Sequence, residues 1–159
     1  MLLAAMNPCP CGNYGDPVKE CTCSQSTVVR YQRRISGPLL DRIDLRVDVP
    51  SLADGDMDGA NGGESSARVR ERVCRARALQ VGRQGTPNAR LAGREIDARA
   101  GPTRAARDLL RRAAARHVMS ACAQQRVLKV ALTIADLEGC ARVAEPHLAE
   151  ALSYRGEGR

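Results

Sequence analysis

Four cysteines near the start of the chain are the clearest group of residues that could carry out chemistry. Nine residues separate the two pairs, which are Cys9 with Cys11 and Cys21 with Cys23. Four thiolates can surround one Zn²⁺ tetrahedrally, although zinc-binding pairs usually enclose about two to four residues rather than one. The spacing therefore predicts a structural zinc site at these four residues. Metal-free or redox-active cysteines are the alternative.

Two segments that flank the cysteines have the pattern of β-strands. The apolar run at residues 2–6 is typical of a strand buried on both faces of a parallel sheet, and the alternating segment at 44–49 predicts a second strand. Two strands alone cannot form a parallel sheet with both faces covered. We therefore expect one edge of a sheet whose other strands lie outside this chain, and that edge would be apolar and exposed.

Helices are predicted for most of the remaining chain. Ser24 or Ser26 can cap a short helix at 27–35, and Ser120 can cap a long helix that ends at residue 137. The other predicted helices cover residues 39–42, 67–83, 92–99, 102–116 and 146–154.

A solvated linker is predicted at residues 51–65, which hold four acidic residues, four glycines and no basic residue. The linker divides the chain into an N-terminal part at 1–50 and a helical domain at 66–159. Three cysteines lie singly on predicted helices, and we expect them to be small core residues. They are Cys74, Cys122 and Cys140.

The composition is strongly basic and poor in aromatic residues. The formal net charge is +7, and aromatic residues make up 2% of the chain. A polyanionic partner is expected, with arginine contacts to phosphate rather than base stacking. The codon bias of a GC-rich genome is the alternative, because 23 of the 25 basic residues are arginine. The fifteen arginines at 66–126 are scattered over several helix faces, which favours ordinary solvated surfaces there. No apolar run reaches membrane-spanning length and the start does not resemble a signal peptide, so we expect a cytoplasmic protein.

The order of these features resembles one protein family. Asn7-Pro8 is followed by the cysteine pairs, by a basic segment at 30–34 and by Ile-Ser-Gly-Pro-Leu-Leu-Asp-Arg-Ile-Asp at 35–44. This order is similar to that of the Mg-chelatase-like AAA+ ATPases, and within them of the competence-protein (ComM-like) branch. The resemblance covers nearly the whole chain and implies the C-terminal portion of a larger protein. Its fold would be α/β at the start, with only the last strands of an incomplete AAA+ P-loop core, followed by an all-α C-terminal domain.

The resemblance implies catalytic roles for Asn7 and Arg42. Asn7 stands where the family has sensor 1, which orients the water that attacks the γ-phosphate of ATP. A simple Asn-Pro turn is the alternative. Arg42 stands where the family has an arginine finger, which reaches the nucleotide of a neighbouring subunit. The alternatives for Arg42 are an ion pair with Asp41 or Asp44, or a phosphate contact.

A nucleotide contact is implied for the segment at 120–139, which resembles the family's sensor 2 helix. Cys122 stands where that helix carries an arginine, so Arg126, one turn later, is the nearest substitute. A solvent-exposed helix charge is an equal alternative for Arg126. The Gly-x-x-x-x-Gly-Lys-Ser/Thr loop that binds phosphates and the Asp-Glu strand end that holds Mg²⁺ do not occur in this sequence. We expect both upstream of residue 2, so this chain alone is not expected to hydrolyse ATP.

The function implied by the resemblance is that of an ATP- and Mg²⁺-dependent motor. It would assemble as a homo-hexamer and act on DNA in branch migration during natural transformation, with no membrane partner. One alternative is the ATPase subunit of magnesium chelatase, against which the cysteine pairs argue. Another alternative is a stand-alone zinc-binding, DNA-binding module without an ATPase role.

Overall fold

The chain is described from a computed structural model that covers residues 2–49 and 63–155. The chain divides into two compact units. Unit 1 comprises residues 1–43 and 48–61, and unit 2 comprises residues 44–47 and 62–159. Most of the predicted acidic linker, including Asp54, Asp56 and Asp58, lies outside the described residues.

Unit 1 contains the cysteine segment and two short helices, α1 (Gln25–Gln32) and α2 (Gly37–Arg42). The Ser24 hydroxyl accepts a hydrogen bond from the Thr27 backbone N–H, which confirms Ser24 as the helix cap. Val28 is the buried residue of α1, and the Gln32 side chain donates to the Pro8 carbonyl at 3.1 Å. These contacts attach α1 to the cysteine segment.

The two predicted strands are not found. None of residues 2–49 and 63–155 lies in a β-strand, and residues 2–6 form no regular element and are exposed, with Leu3 at 90% exposure. A strand needs a neighbour to accept its backbone hydrogen bonds, and no neighbouring strand exists within the described chain. The segment at 44–49 instead makes one backbone contact, from the Arg46 N–H to the Tyr154 carbonyl at 2.7 Å. The α/β part of the predicted fold class is therefore not confirmed.

The described part of unit 2 consists of helices joined by short connections and contains no strand, as predicted for the C-terminal domain. The central helix is α6 (Ala121–Glu138), which contacts three other helices and a short 3₁₀ turn at Asn88–Arg90. Those helices are α3 (Ser66–Gln84), α4 (Arg94–Ala100) and α7 (Glu145–Ser153), and α5 (Arg104–Arg116) packs against α7. The core consists mainly of aliphatic side chains, and those that are almost completely buried include Ile96, Val127, Leu132, Val143 and Leu148.

Helix ends follow the local sequence closely, and the Ser120 cap of α6 is confirmed by its bond from the Ala123 N–H. The predicted start of α5 at Pro102 is wrong by two residues, because the Thr103 hydroxyl caps the Ala106 N–H. None of the helices among the described residues is long and apolar enough to cross a membrane.

The expected core positions of three cysteines are wrong. Cys74, Cys122 and Cys140 are all exposed. The large apolar residues of α3 are exposed as well, with Val73 at 49%, whereas Ala76 is buried. A residue's position within a helix does not by itself determine its burial. Tertiary packing determines which faces of α3 and α6 are buried, and these cysteines lie outside the buried faces.

Candidate functional site

The four predicted zinc ligands lie close together in unit 1. The Cys9 sulfur is 3.3 Å from that of Cys11 and 3.7 Å from that of Cys21, and the sulfurs of Cys11 and Cys21 are 3.6 Å apart. All four sulfurs, including that of Cys23, lie within 4.8 Å of one another. Zinc–sulfur bonds of about 2.3 Å give a tetrahedron with edges of about 3.8 Å. The donor set and the sulfur spacing therefore fit one tetrahedral Zn²⁺.

Local turns bring the two cysteine pairs together. The Gly12 N–H donates to the Cys9 carbonyl at 3.1 Å, and Gly12 has φ +87°, a conformation that a side chain disfavours. Between the pairs, one oxygen of the Asp16 carboxylate accepts from the N–H groups of Val18 and Lys19, at 2.8 and 2.9 Å. The Asp16 contacts form a side-chain turn that reverses the chain, so Cys21 returns to Cys9.

The thiols influence one another's ionisation strongly. The backbone N–H of Asn13 and then the Cys9 thiol lower the pKa of Cys11 to about 5. At Cys21 the Cys23 backbone N–H favours the thiolate, but loss of solvent, the bonds to Cys11 and Cys9, and the Cys11 charge together raise the pKa to about 12. The pKa of Cys23 is raised by a similar balance. Ionisation of one thiol therefore disfavours ionisation of its neighbours. A bound divalent cation would compensate the negative charge, so that all four thiols could ionise together.

A second cluster of possible metal ligands consists of Glu138, Cys140 and His147 in unit 2. The His147 Nδ1 accepts the Ala144 backbone N–H at 3.0 Å, so the neutral ring carries its proton on Nε2. The Nε2–H group then donates to the Glu138 carboxylate at 2.9 Å. Because Nε2 has no lone pair left for a metal, this cluster is a structural hydrogen-bond bridge between α6 and α7.

Asn7 and Arg42 are both exposed residues of unit 1. The Asn7 side chain makes no hydrogen bond within residues 2–49 and 63–155, and its amide nitrogen lies 3.9 Å from the position of a Cβ added at Gly12. Arg42 is the last residue of α2. Both positions are accessible to a partner molecule, as the predicted roles require.

Arg126 lies on α6 beside a cavity of about 180 Å³ in unit 2. Cys122 lines the same cavity, so Arg126 shares a face with the position of the expected sensor 2 arginine. Its guanidinium donates to the Asp44 carboxylate at 2.7 Å, and the two side chains are 33% and 52% exposed. The Asp44 carboxylate, one of the two alternative partners considered for Arg42, thus contacts a residue 82 positions further along the chain.

Lys129 is a further basic residue of this cavity that was missed from the sequence. It lies three residues after Arg126 on α6, and its amine donates to the Ala89 carbonyl at 3.2 Å. The helical spacing of positions 122, 126 and 129 could have revealed it, because these three positions share one helix face. The cavity therefore offers two cations to an anionic group.

Two family descriptions match the chain. "Magnesium chelatase, subunit ChlI C-terminal" matches residues 63–155, and "Magnesium chelatase, subunit ChlI" matches residues 1–57. Competence protein ComM of Haemophilus influenzae is 42% identical over 155 residues, which are 97% of this chain and 30% of that protein. The uncharacterized protein YifB of Salmonella typhimurium is 43% identical over 159 residues, which are 99% of this chain and 31% of YifB. This chain spans about three tenths of the length of these relatives.

Proposed function

We propose that this chain, which belongs to the magnesium chelatase subunit ChlI family, is the C-terminal part of an ATP-hydrolysing AAA+ motor of the ComM type. The observation that carries the proposal is the 42% identity to a competence protein over 97% of the chain. The phosphate-binding loop and the Mg²⁺ ligand would come from the part of the complete protein that precedes this chain, as the relatives' greater length allows.

In the proposed motor, the residues of this chain act on a nucleotide that other residues hold. Asn7 orients the attacking water, and Arg42 stabilises the charge that develops on the transferred phosphoryl group of the neighbouring subunit. The exposure of both side chains supports these roles. Arg126, with Lys129 beside it, contacts the phosphates from the α6 cavity. Phosphate contact requires Arg126 to leave Asp44, whose half-exposed ion pair is weak enough to exchange.

Zinc is part of the same proposal, as a structural ion held by Cys9, Cys11, Cys21 and Cys23. Sulfur separations of 3.3 to 3.7 Å and the opposed thiol pKa values support it. When bound, the ion supplies the positive charge that four thiolates need, and no catalytic step passes through it. The thiolates would fix the cysteine segment between Asn7 and α1.

DNA and neighbouring subunits of a homo-hexamer are the proposed partners, with branch migration in natural transformation as the process. The name of the Haemophilus influenzae relative and the net charge of +7 support this assignment. The chelatase ATPase subunit remains the second candidate, because both family descriptions carry that title. The cysteine cluster and the identity to ComM favour the competence type.

The test of the proposed function is Arg42→Ala in the complete protein. We expect ATP hydrolysis to fall by about 10³-fold or more while ATP still binds, because an arginine finger serves charge that forms only in the transition state. Arg70→Ala, at an exposed position on α3, is the matched control and should hydrolyse ATP normally. Normal hydrolysis by Arg42→Ala would contradict the finger role.

A further inference from the structure

Three arginines at the end of α1 lie close together without an acidic partner among the described residues. Arg30 and Arg33 are exposed and make no side-chain hydrogen bond or ion pair within residues 2–49 and 63–155. Arg34 lies over the Tyr31 ring at 6.0 Å, a contact that leaves its N–H groups available. Seven arginines of unit 2 are paired with carboxylates, and they provide matched controls: Arg72, Arg75, Arg83, Arg104, Arg111, Arg112 and Arg126.

The three guanidiniums surround a shallow groove of about 480 Å³, which Gln25, Ser26 and Val29 also line. We call this surface the α1 basic face. Successive helical turns bring its residues together, since positions 26, 29, 30 and 33 share one side of α1. No acidic residue occurs in α1, whose sequence is QSTVVRYQ. A free anion or a polyanion would therefore meet donors without competing carboxylates on this helix.

We propose that the α1 basic face binds the phosphodiester backbone of DNA. This inference rests on the proposed function and deepens it by assigning the DNA contact to one surface. Guanidinium groups match phosphate oxygens with two parallel hydrogen bonds, and three at one helix end can engage successive phosphates of a strand. Because the groove has no exposed aromatic platform, binding is independent of base sequence and depends on salt.

The position of α1 makes the face rigid enough to bind. Val28 is 1% exposed, and Gln32 donates to the Pro8 carbonyl next to the cysteine cluster. The opposite side of α1 is thus fixed to the proposed zinc knuckle. A lipid surface fits less well, because Val29 is the only exposed large apolar residue among those of α1 and a membrane-binding helix needs an apolar face.

The experiment measures binding of the zinc-loaded 159-residue chain to labelled single-stranded and duplex DNA by fluorescence anisotropy. The variant is R30Q/R33Q/R34Q, because glutamine keeps the helix propensity of arginine and removes its charge. Between about 50 and 200 mM salt, three lost phosphate contacts should lower the log–log salt slope on single strands by about 2. The affinity at low salt should fall by about tenfold or more.

The matched control is R75Q/R104Q/R111Q, which removes the same charge from exposed arginines that already have carboxylate partners. Its salt slope should stay within about 0.5 of the original. Equal losses in both variants would assign binding to overall charge and overturn the inference. No DNA binding by the unaltered chain would overturn it as well. Unchanged zinc content and circular dichroism must accompany the α1 result, so a loss caused by misfolding is recognised.

A lipid alternative is tested with vesicles of phosphatidylserine and phosphatidylcholine. The assignment of the α1 basic face as a DNA site is refuted if the chain binds these vesicles more tightly than DNA and R30Q/R33Q/R34Q removes that preference. The DNA measurement uses no nucleotide and the Arg42→Ala measurement follows ATP hydrolysis. A failed α1 result beside a successful Arg42 result therefore refutes this inference alone.

Discussion

The buried ion pair between Arg83 of α3 and Asp136 of α6 gives the sharpest stability prediction. The Asp136 side chain is 2% exposed, and its carboxylate accepts hydrogen bonds from the two terminal nitrogens of the Arg83 guanidinium, at 2.7 and 3.0 Å. The Asn88 amide donates to the same carboxylate at 2.7 Å. This network joins the end of α3 to the central helix of unit 2.

Arg83→Ala would leave the Asp136 carboxylate buried with Asn88 as its remaining donor. Removing one partner of a buried pair costs about 3–5 kcal/mol. Because Arg83 is 25% exposed, water can enter its place, and we expect the lower end, about 3 kcal/mol of unfolding free energy. For a unit of this size that loss lowers the melting temperature by about 12–24 °C.

The assay is urea and thermal unfolding followed by far-ultraviolet circular dichroism, which reports mainly the long helices of unit 2. Glu71→Ala is the control, because its pair with Arg75 spans 3.6 Å and is about 70% exposed on both sides. It should change stability by about 0.5 kcal/mol or less. The double variant Arg83→Ala/Asp136→Ala should lose less than the sum of its single variants. The reasoning fails if Arg83→Ala is no more destabilising than Glu71→Ala.

Three further outcomes are expected. The purified chain should hold about one zinc ion, and Cys9→Ser should lose it because the site needs four thiolates, while Cys74→Ser should retain it; a metal-free chain refutes the zinc assignment. Val118→Asn should raise the unfolding free energy by about 0.5–1 kcal/mol, because exposed Val118 has φ +47° and Asn tolerates that conformation better, so an unchanged melting temperature argues against strain there. Arg126→Ala should weaken ATP binding by the complete protein about tenfold, because it removes a charged hydrogen bond to phosphate. Calorimetry measures this affinity, and an unchanged value would contradict the phosphate contact.

Features fixed by local chemistry could be predicted from the sequence. Ser24 and Ser120 cap their helices because a hydroxyl before a helix accepts the free N–H groups of its first turn. The cysteine spacing, with Gly12 in the turn, was enough to indicate that four thiols meet. Whether they bind zinc stays a prediction.

Features that depend on distant residues could not be predicted. The strand pattern at 2–6 and 44–49 describes segments that need neighbouring strands, and no such strand occurs in the described chain. The pairing of Arg126 with Asp44 joins residues 82 positions apart, so no local pattern reveals it. Cys122 was expected in the core, but helix packing turned its face to the cavity and to solvent.

The most direct test of the central claim mixes two inactive forms of the complete protein. One form carries Arg42→Ala, and the other keeps Arg42 but has a disabled phosphate-binding loop. If Arg42 completes the site of a neighbouring subunit, mixed assemblies contain some sites with an intact loop and an intact finger, and ATP hydrolysis reappears. The control mixture combines the form that keeps Arg42 but has a disabled loop with a form that carries both defects. It contains no intact loop and should not hydrolyse ATP. Mixtures of the first two forms that stay as inactive as each form alone would contradict the account.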